Sequence, residues 1–92
     1  MLTMNLYYQM KEGKKNEFVD TIYSLGIPQA TKEENGCIAY DFYVSPDKDE
    51  ILLVEKWESS DYLPSHTQQE HFKKLISLKD EYVISTVCEK FE

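Results

Sequence analysis

The chain contains no arginine, and its 10 lysines are scattered among 17 Asp and Glu, for a net charge of −7. A nucleic-acid binder needs a basic face to displace counterions from phosphates, and none can be assembled from these residues. The same acidity repels an anionic membrane surface. Cysteine is scarce: Cys37 and Cys88 are the only two and lie far apart. Two thiols cannot form a disulfide scaffold, and no Cys/His spacing suggests zinc, so they read as reduced, partly buried side chains. Ile51-Leu52-Leu53-Val54 is the longest aliphatic run, far short of the roughly 20 residues of a membrane span. Met1 to Leu6 carries neither a basic n-region nor an apolar h-region. Glycine and proline number 3 each, too few for a fibrous or low-complexity chain. There is no glycine-rich phosphate loop, no nicotinamide or flavin fingerprint and no serine- or cysteine-triad pattern. These absences leave small molecules and other proteins as partners, and point to a cytoplasmic setting.

What remains is a chain of 92 residues and 10.9 kDa, read as a single domain over 1–92. At this size only roughly 60–65% of the chain's surface can be buried, so the core is thin and a partner chain is expected to help.

Leu2 to Met10 alternates, with Leu2, Met4, Leu6, Tyr8 and Met10 on one side and Thr3, Asn5, Tyr7 and Gln9 on the other, as in a strand. Phe18, Ile22 and Leu25 then share one helical face over Lys14–Leu25, and Gly26 with Pro28 stops or kinks that helix. Gln29–Glu34 can resume it for a turn or two. Asn35-Gly36 is a turn signal. Two apolar runs, Cys37–Val44 and Glu50–Glu58, are joined by the polar Ser45–Asp49 and read as a hairpin. Ser59-Ser60-Asp61 offers caps, Pro64 limits where the next helix begins, and Phe72, Leu75 and Ile76 mark its apolar stripe to near Lys79. Glu81–Phe91 completes the order β-α-β-β-α-β, the ferredoxin-like split βαβ unit of the α+β class. Met4, Leu6, Val54, Ile51, Val87 and Ile84 distribute apolar residues over both strand faces, while two helices cover only one. A second copy of the chain is the simplest cover for the other.

Candidate chemistry is sparse. His66 and His71 are the only histidines. On one continuous helix that spacing points them in different directions, so they form no i, i+4 metal pair. His66, three after Leu63, lies near the inward edge of its helix. A surface or capping histidine is the plain alternative, and His71 is expected to set the turn before Phe72. Trp57 ends its strand, either as a core aromatic or as a pocket wall, and shares its face with Glu55. A carboxylate in an Ile-Leu-Leu-Val strand needs a partner across an interface or a polar pocket. Asn5, mid-strand, likewise needs a hydrogen-bonding reason. Seven Tyr and four Phe serve either packing or an aromatic-walled pocket for a flat ligand, with Tyr7, Tyr40, Phe42 and Phe72 as candidate ring contacts. The residues by themselves define a fold and a pocket region but no reaction.

Taken in order, Gly13-Lys14 with Glu17-Phe18, Glu34-Asn35-Gly36-Cys37 with Tyr40, Ser45-Pro46, Glu55-x-Trp57, and His66 followed by His71-Phe72 resemble the antibiotic biosynthesis monooxygenase (ABM) family. The resemblance implies a dimeric α/β barrel in which two sheets close on each other. It implies a cofactor-free, metal-free monooxygenase acting with O2 on a small phenolic or quinol-type aromatic molecule. His66 would be the base, with Asn5 and Trp57 holding the oxyanion. The haem-degrading branch is disfavoured: of its Asn, Trp and His, only Asn5 has a counterpart, His66 and Ile76 standing at the other two positions. Relatives that process a signalling sugar derivative leave an isomerase-like protein or a small-metabolite binder as the alternative. Fold alone does not decide among these.

Overall fold

The computed structural model describes all residues 1–92. Strand β1 (Leu2–Met10) is followed by helices α1 (Lys15–Ser24) and α2 (Ile27–Lys32). The hairpin β2 (Cys37–Val44) and β3 (Glu50–Trp57) comes next, then a 3₁₀ turn (Ser60–Tyr62), α3 (Leu63–His66), α4 (Glu70–Tyr82) and β4 (Val83–Phe91). The sheet runs in the order β2-β3-β1-β4, every neighbouring pair antiparallel. This is the ferredoxin-like arrangement that the element order implies.

Alternation along the strands sorts residues to two faces. Leu2, Tyr8 and Met10 of β1 and Ile51, Leu53 and Trp57 of β3 are sealed beneath the helices with Phe18 and Ile22 of α1, Ile27 of α2 and Leu75 of α4. Edge-on aromatic pairs run through this core: Tyr8 to Phe18 at 6.0 Å, Phe18 to Tyr82 at 5.7 Å and Tyr40 to Phe42 at 5.5 Å between centroids. The register places Tyr43, Leu52, Tyr7 and Val87 in one row across the opposite face, with Asp41, Val54, Asn5 and Glu89 in the next. No helix covers that face.

Several boundaries differ from the sequence reading. Gly26, at φ +72°, ends α1, yet α2 starts at once, because Pro28 falls in the first turn where its missing N–H costs nothing. The last helix runs past Lys79 to Tyr82, whose buried ring packs on Phe18 and whose hydroxyl donates to Glu17 Oε2 at 2.5 Å. β4 therefore begins at Val83 rather than Glu81. Ile76, placed on the apolar stripe by its spacing, is 40% exposed, while Leu75 beside it is buried. No helix is long and apolar enough to cross a membrane.

Candidate active site

The second helical region is interrupted, and the interruption builds the site. Ser59 Oγ accepts from the Asp61 N–H and caps the 3₁₀ turn, and Pro64 sits in the first turn of α3. The chain leaves α3 after His66 and turns extended at Gln69 before α4 starts at Glu70. His66 and His71 are therefore not on one continuous helix. Helical spacing therefore does not separate them, and their rings stand 6.2 Å apart between centroids.

Glu34 joins them. It follows α2, its N–H donating to the Thr31 carbonyl at 3.0 Å and its own carbonyl accepting from Cys37 at 3.2 Å. Gly36 makes this connection tight. Its φ is +84°, and a Cβ there would stand 2.4 Å from the Tyr62 ring, so only glycine fits. The turn aims one carboxylate oxygen, Glu34 Oε2, at both imidazoles: 2.7 Å to His66 Nδ1 and 2.7 Å to His71 Nε2. The three side chains are only 5%, 11% and 16% exposed for His66, Glu34 and His71, so the bonds form largely out of solvent. His71, expected to shape a turn, is instead half of this pair.

These residues are the one group of donors that could hold a metal ion. The contacts, however, have the length of charge-assisted hydrogen bonds. Ligand atoms about 2.1 Å from a tetrahedral ion stand about 3.4 Å apart, so an ion would have to push this cluster open.

The His66 ring also meets an aromatic wall: Trp57 at 5.0 Å, Phe72 at 5.0 Å and Tyr40 at 6.2 Å between centroids, with Phe42 packed on Tyr40. Trp57 Nε1–H donates to Glu55 Oε1 at 3.1 Å. Burial raises the Glu55 pKa above the usual carboxylate value, opposed by the Trp57 hydrogen bond and by His66 nearby. Burial and the Glu55 charge likewise hold the Tyr40 phenol well above its ordinary value, and Tyr40 Oη is the one fully buried side-chain polar atom without a partner. His66 Nε2 has no partner within the chain either, yet it is not sealed. It thus keeps contact with solvent. Lys79, its pKa lowered by burial, lies with Nζ 4.6 Å above the Tyr8 ring. Outside the cluster, Glu33, Glu34, Asn35, Ser65, Gln69 and His71 line an open polar cavity of about 560 Å³.

The structure thus brings His66, Trp57, Tyr40, Phe42 and Phe72 together and leaves Asn5 and Tyr7 out. Asn5 pairs with Val54 and Glu89 on the uncovered face, whereas its neighbours Met4 and Leu6 point toward the helices. It cannot share an oxyanion with Trp57 through the sheet, and the Trp57 N–H is already committed to Glu55. Tyr7 lies on the same uncovered face, where a hydrogen bond to Glu89 holds its phenol pKa up. Sequence reasoning missed Glu34 as a functional residue. The available signal was an acidic residue directly before an Asn-Gly turn linking helix to strand.

The model of the family described as antibiotic biosynthesis monooxygenase matches residues 1–77. Solved structures agree in fold. A conserved protein of unknown function from Bacteroides thetaiotaomicron, described as a possible oxidoreductase, is 24% identical, with 99% of this chain and 95% of that one aligned and a TM-score of 0.84. A Nitrosomonas europaea protein provisionally named an antibiotic biosynthesis monooxygenase is 15% identical, aligned over 100% and 97%, with a TM-score of 0.87. A conserved Methanosarcina mazei protein is 25% identical, aligned over 99% and 90%, with a TM-score of 0.85. No curated protein matches the chain. With the family model spanning most of its length, the chain belongs to the antibiotic biosynthesis monooxygenase family.

Proposed function

We propose that this protein is a cofactor-independent monooxygenase that oxidises a small phenolic or quinol-type molecule with O2, with His66 as the general base. The observation that carries the reading is the pairing of His66 Nδ1 with the Glu34 carboxylate at 2.7 Å, which leaves Nε2 free on a ring packed against Trp57 and Phe72. A ring nitrogen oriented by a carboxylate, against an apolar wall, is the arrangement a histidine base needs. Nε2 takes the phenolic proton, and the imidazolium that forms is neutralised by Glu34 in a poorly solvated setting. The phenolate is electron-rich and passes electrons to O2 itself, which is why the reading requires no redox cofactor. Phe72, half-buried beside His66, would contact the ring of the substrate, while Tyr40 and Trp57, themselves sealed, pack on His66 and exclude water. Trp57 acts here as a wall and not as an oxyanion donor.

A second copy of the chain belongs to the same reading. The exposed Tyr43 and Val87 of the uncovered face share a row with Leu52 and Tyr7, a surface suited to a symmetric contact.

Incubating purified protein with a hydroquinone and following O2 uptake tests the proposal. Saturable uptake without added metal or flavin is expected. A folded protein that binds the hydroquinone with no uptake would instead favour the small-metabolite binder or isomerase-like alternative.

A further inference from the structure

Glu34 is shared by two histidines, and its chemistry dictates what each must be. An ionised carboxylate accepts hydrogen bonds and has none to give. His66 presents Nδ1 to Oε2 and His71 presents Nε2 to the same atom, each at 2.7 Å. Each facing nitrogen must therefore carry the hydrogen. When both rings are neutral, the other nitrogen of each is bare: Nε2 on His66 and Nδ1 on His71.

We infer that Glu34 locks the two histidines into opposite tautomers, and that His71 is the positioning residue that holds the Glu34 carboxylate against His66. The lock rests on geometry alone; its consequence for turnover rests on the oxygenase reading above.

The three groups are attached to different elements. Glu34 stands in the connection between α2 and β2, His66 ends α3, and His71 lies in the first turn of α4. No neighbouring lysine pairs with Glu34; the ion pairs of its carboxylate are those with the two imidazoles. Without His71 the carboxylate keeps one tether. It is then free to rotate toward the open polar cavity, which it already lines. His71 Nε2–H is the second tether that holds Oε2 in place beside His66. On one side the same oxygen thereby leaves a bare nitrogen on His66, whose ring packs against Trp57 and Phe72. On the other, His71 Nδ1 is left without a partner in the chain.

The tautomer of a neutral histidine is read directly from its two ring-nitrogen shifts. Long-range proton–nitrogen correlation spectra of the full chain, at alkaline pH where both rings are neutral, are expected to show His66 with hydrogen on Nδ1 and His71 with hydrogen on Nε2. The same tautomer on both rings overturns the lock. So does a His66 carrying hydrogen on Nε2, the form it would take if a metal ion occupied Nδ1.

Two variants test the positioning role. In His71→Gln the side-chain amide N–H replaces the lost donor, and His66 is expected to keep hydrogen on Nδ1. In His71→Leu the His66 signals are expected to move toward a mixture of tautomers, and kcat for hydroquinone oxidation to fall about 100-fold with KM little changed, the scale of a misplaced catalytic group. An unchanged His66 tautomer in a folded His71→Leu variant overturns the positioning role. If that variant does not fold, His71→Gln with His66 shifted to Nε2–H overturns it equally. Should the wild type show the opposite tautomers but take up no oxygen, the oxygenase reading falls and the lock stands.

Discussion

On the helix-covered side of the sheet, Tyr8, Ile51, Leu53 and Trp57 are sealed from solvent; on the other side of the same strands Tyr43 is 56% exposed and Val87 62%. The polar residues divide in the same way. Glu55 and His66 are buried within reach of each other and of an aromatic wall, whereas Asn5 sits in a row between Val54 and Glu89 with nothing packed above it. Buried polar groups must be oriented and satisfied, so the covered face has a built constellation. The uncovered face has apolar area and no convergence of chemical groups. On the proposed reading, one side serves chemistry and the other contact.

The contrast is broken most severely at His66. If the covered face carries the reaction, His66→Ala lowers kcat by about 10²–10⁴, the range for losing a general base, while Asn5→Ala changes it little. Oxygen uptake per folded molecule, with folding checked by circular dichroism, separates this from a structural role, in which His66→Ala would lower Tm and spare turnover.

That prediction also marks what was legible in the chain. The period-2 alternation of β1 and β3 places residues on two faces, and the structure keeps that division. Periodicity does not say which face the helices choose for a mid-strand polar residue, and Asn5 and Tyr7, candidates for the site, lie on the face the helices leave uncovered. The Glu34–His66–His71 cluster was hidden for a different reason. It depends on a break in the helix at Thr67–Gln69 and on a tight turn at Gly36, and neither the direction after a break nor the contacts of distant turns are written in helical spacing. Of the candidate ring contacts Tyr7, Tyr40, Phe42 and Phe72, the last three gather around His66 and Tyr40, while Tyr7 lies on the uncovered face.

Packing gives the next largest effect. Phe18, fully buried between Tyr8 and Tyr82, should cost about 3–5 kcal/mol when truncated to Ala. Val87→Ala on the uncovered face should cost far less in a monomer. Denaturant unfolding at low protein concentration measures both.

The uncovered face is sharpened by charge. If a second copy covers it, Val87→Asp should turn a particle of about twice 10.9 kDa into one of 10.9 kDa by light scattering. A wild type that is already monomeric at high concentration would remove the dimer from the account.

A smaller effect belongs to Glu55. Its pKa is raised in the fold from the ordinary 4.5, so the native state holds the proton more tightly than the unfolded chain does. This contribution to stability is fully present below about pH 4.5 and is lost as pH rises from there through the raised folded value. Glu55→Gln keeps an acceptor for Trp57 and removes the ionisation. Its Tm at neutral pH should rise. The advantage should vanish in acid, as thermal melts across pH would reveal.

The smallest expected effect is that of a chelator. The 2.7 Å spacing within the Glu34 cluster is satisfied by hydrogen bonds, so treatment with EDTA should leave melting and oxygen uptake unchanged. A loss restored by one added metal would reassign the cluster.

The division between a chemical face and a contact face is tested most directly by titrating the labelled protein with hydroquinone and following amide and indole N–H resonances. Trp57 is the only tryptophan, so its indole signal is unambiguous. The account predicts that the Trp57 indole and the amides of His66 and Phe72 shift and saturate together, while Asn5, Tyr7 and Val87 stay still. A stationary Trp57 signal with saturating shifts at Asn5, Tyr7 and Val87 would contradict it.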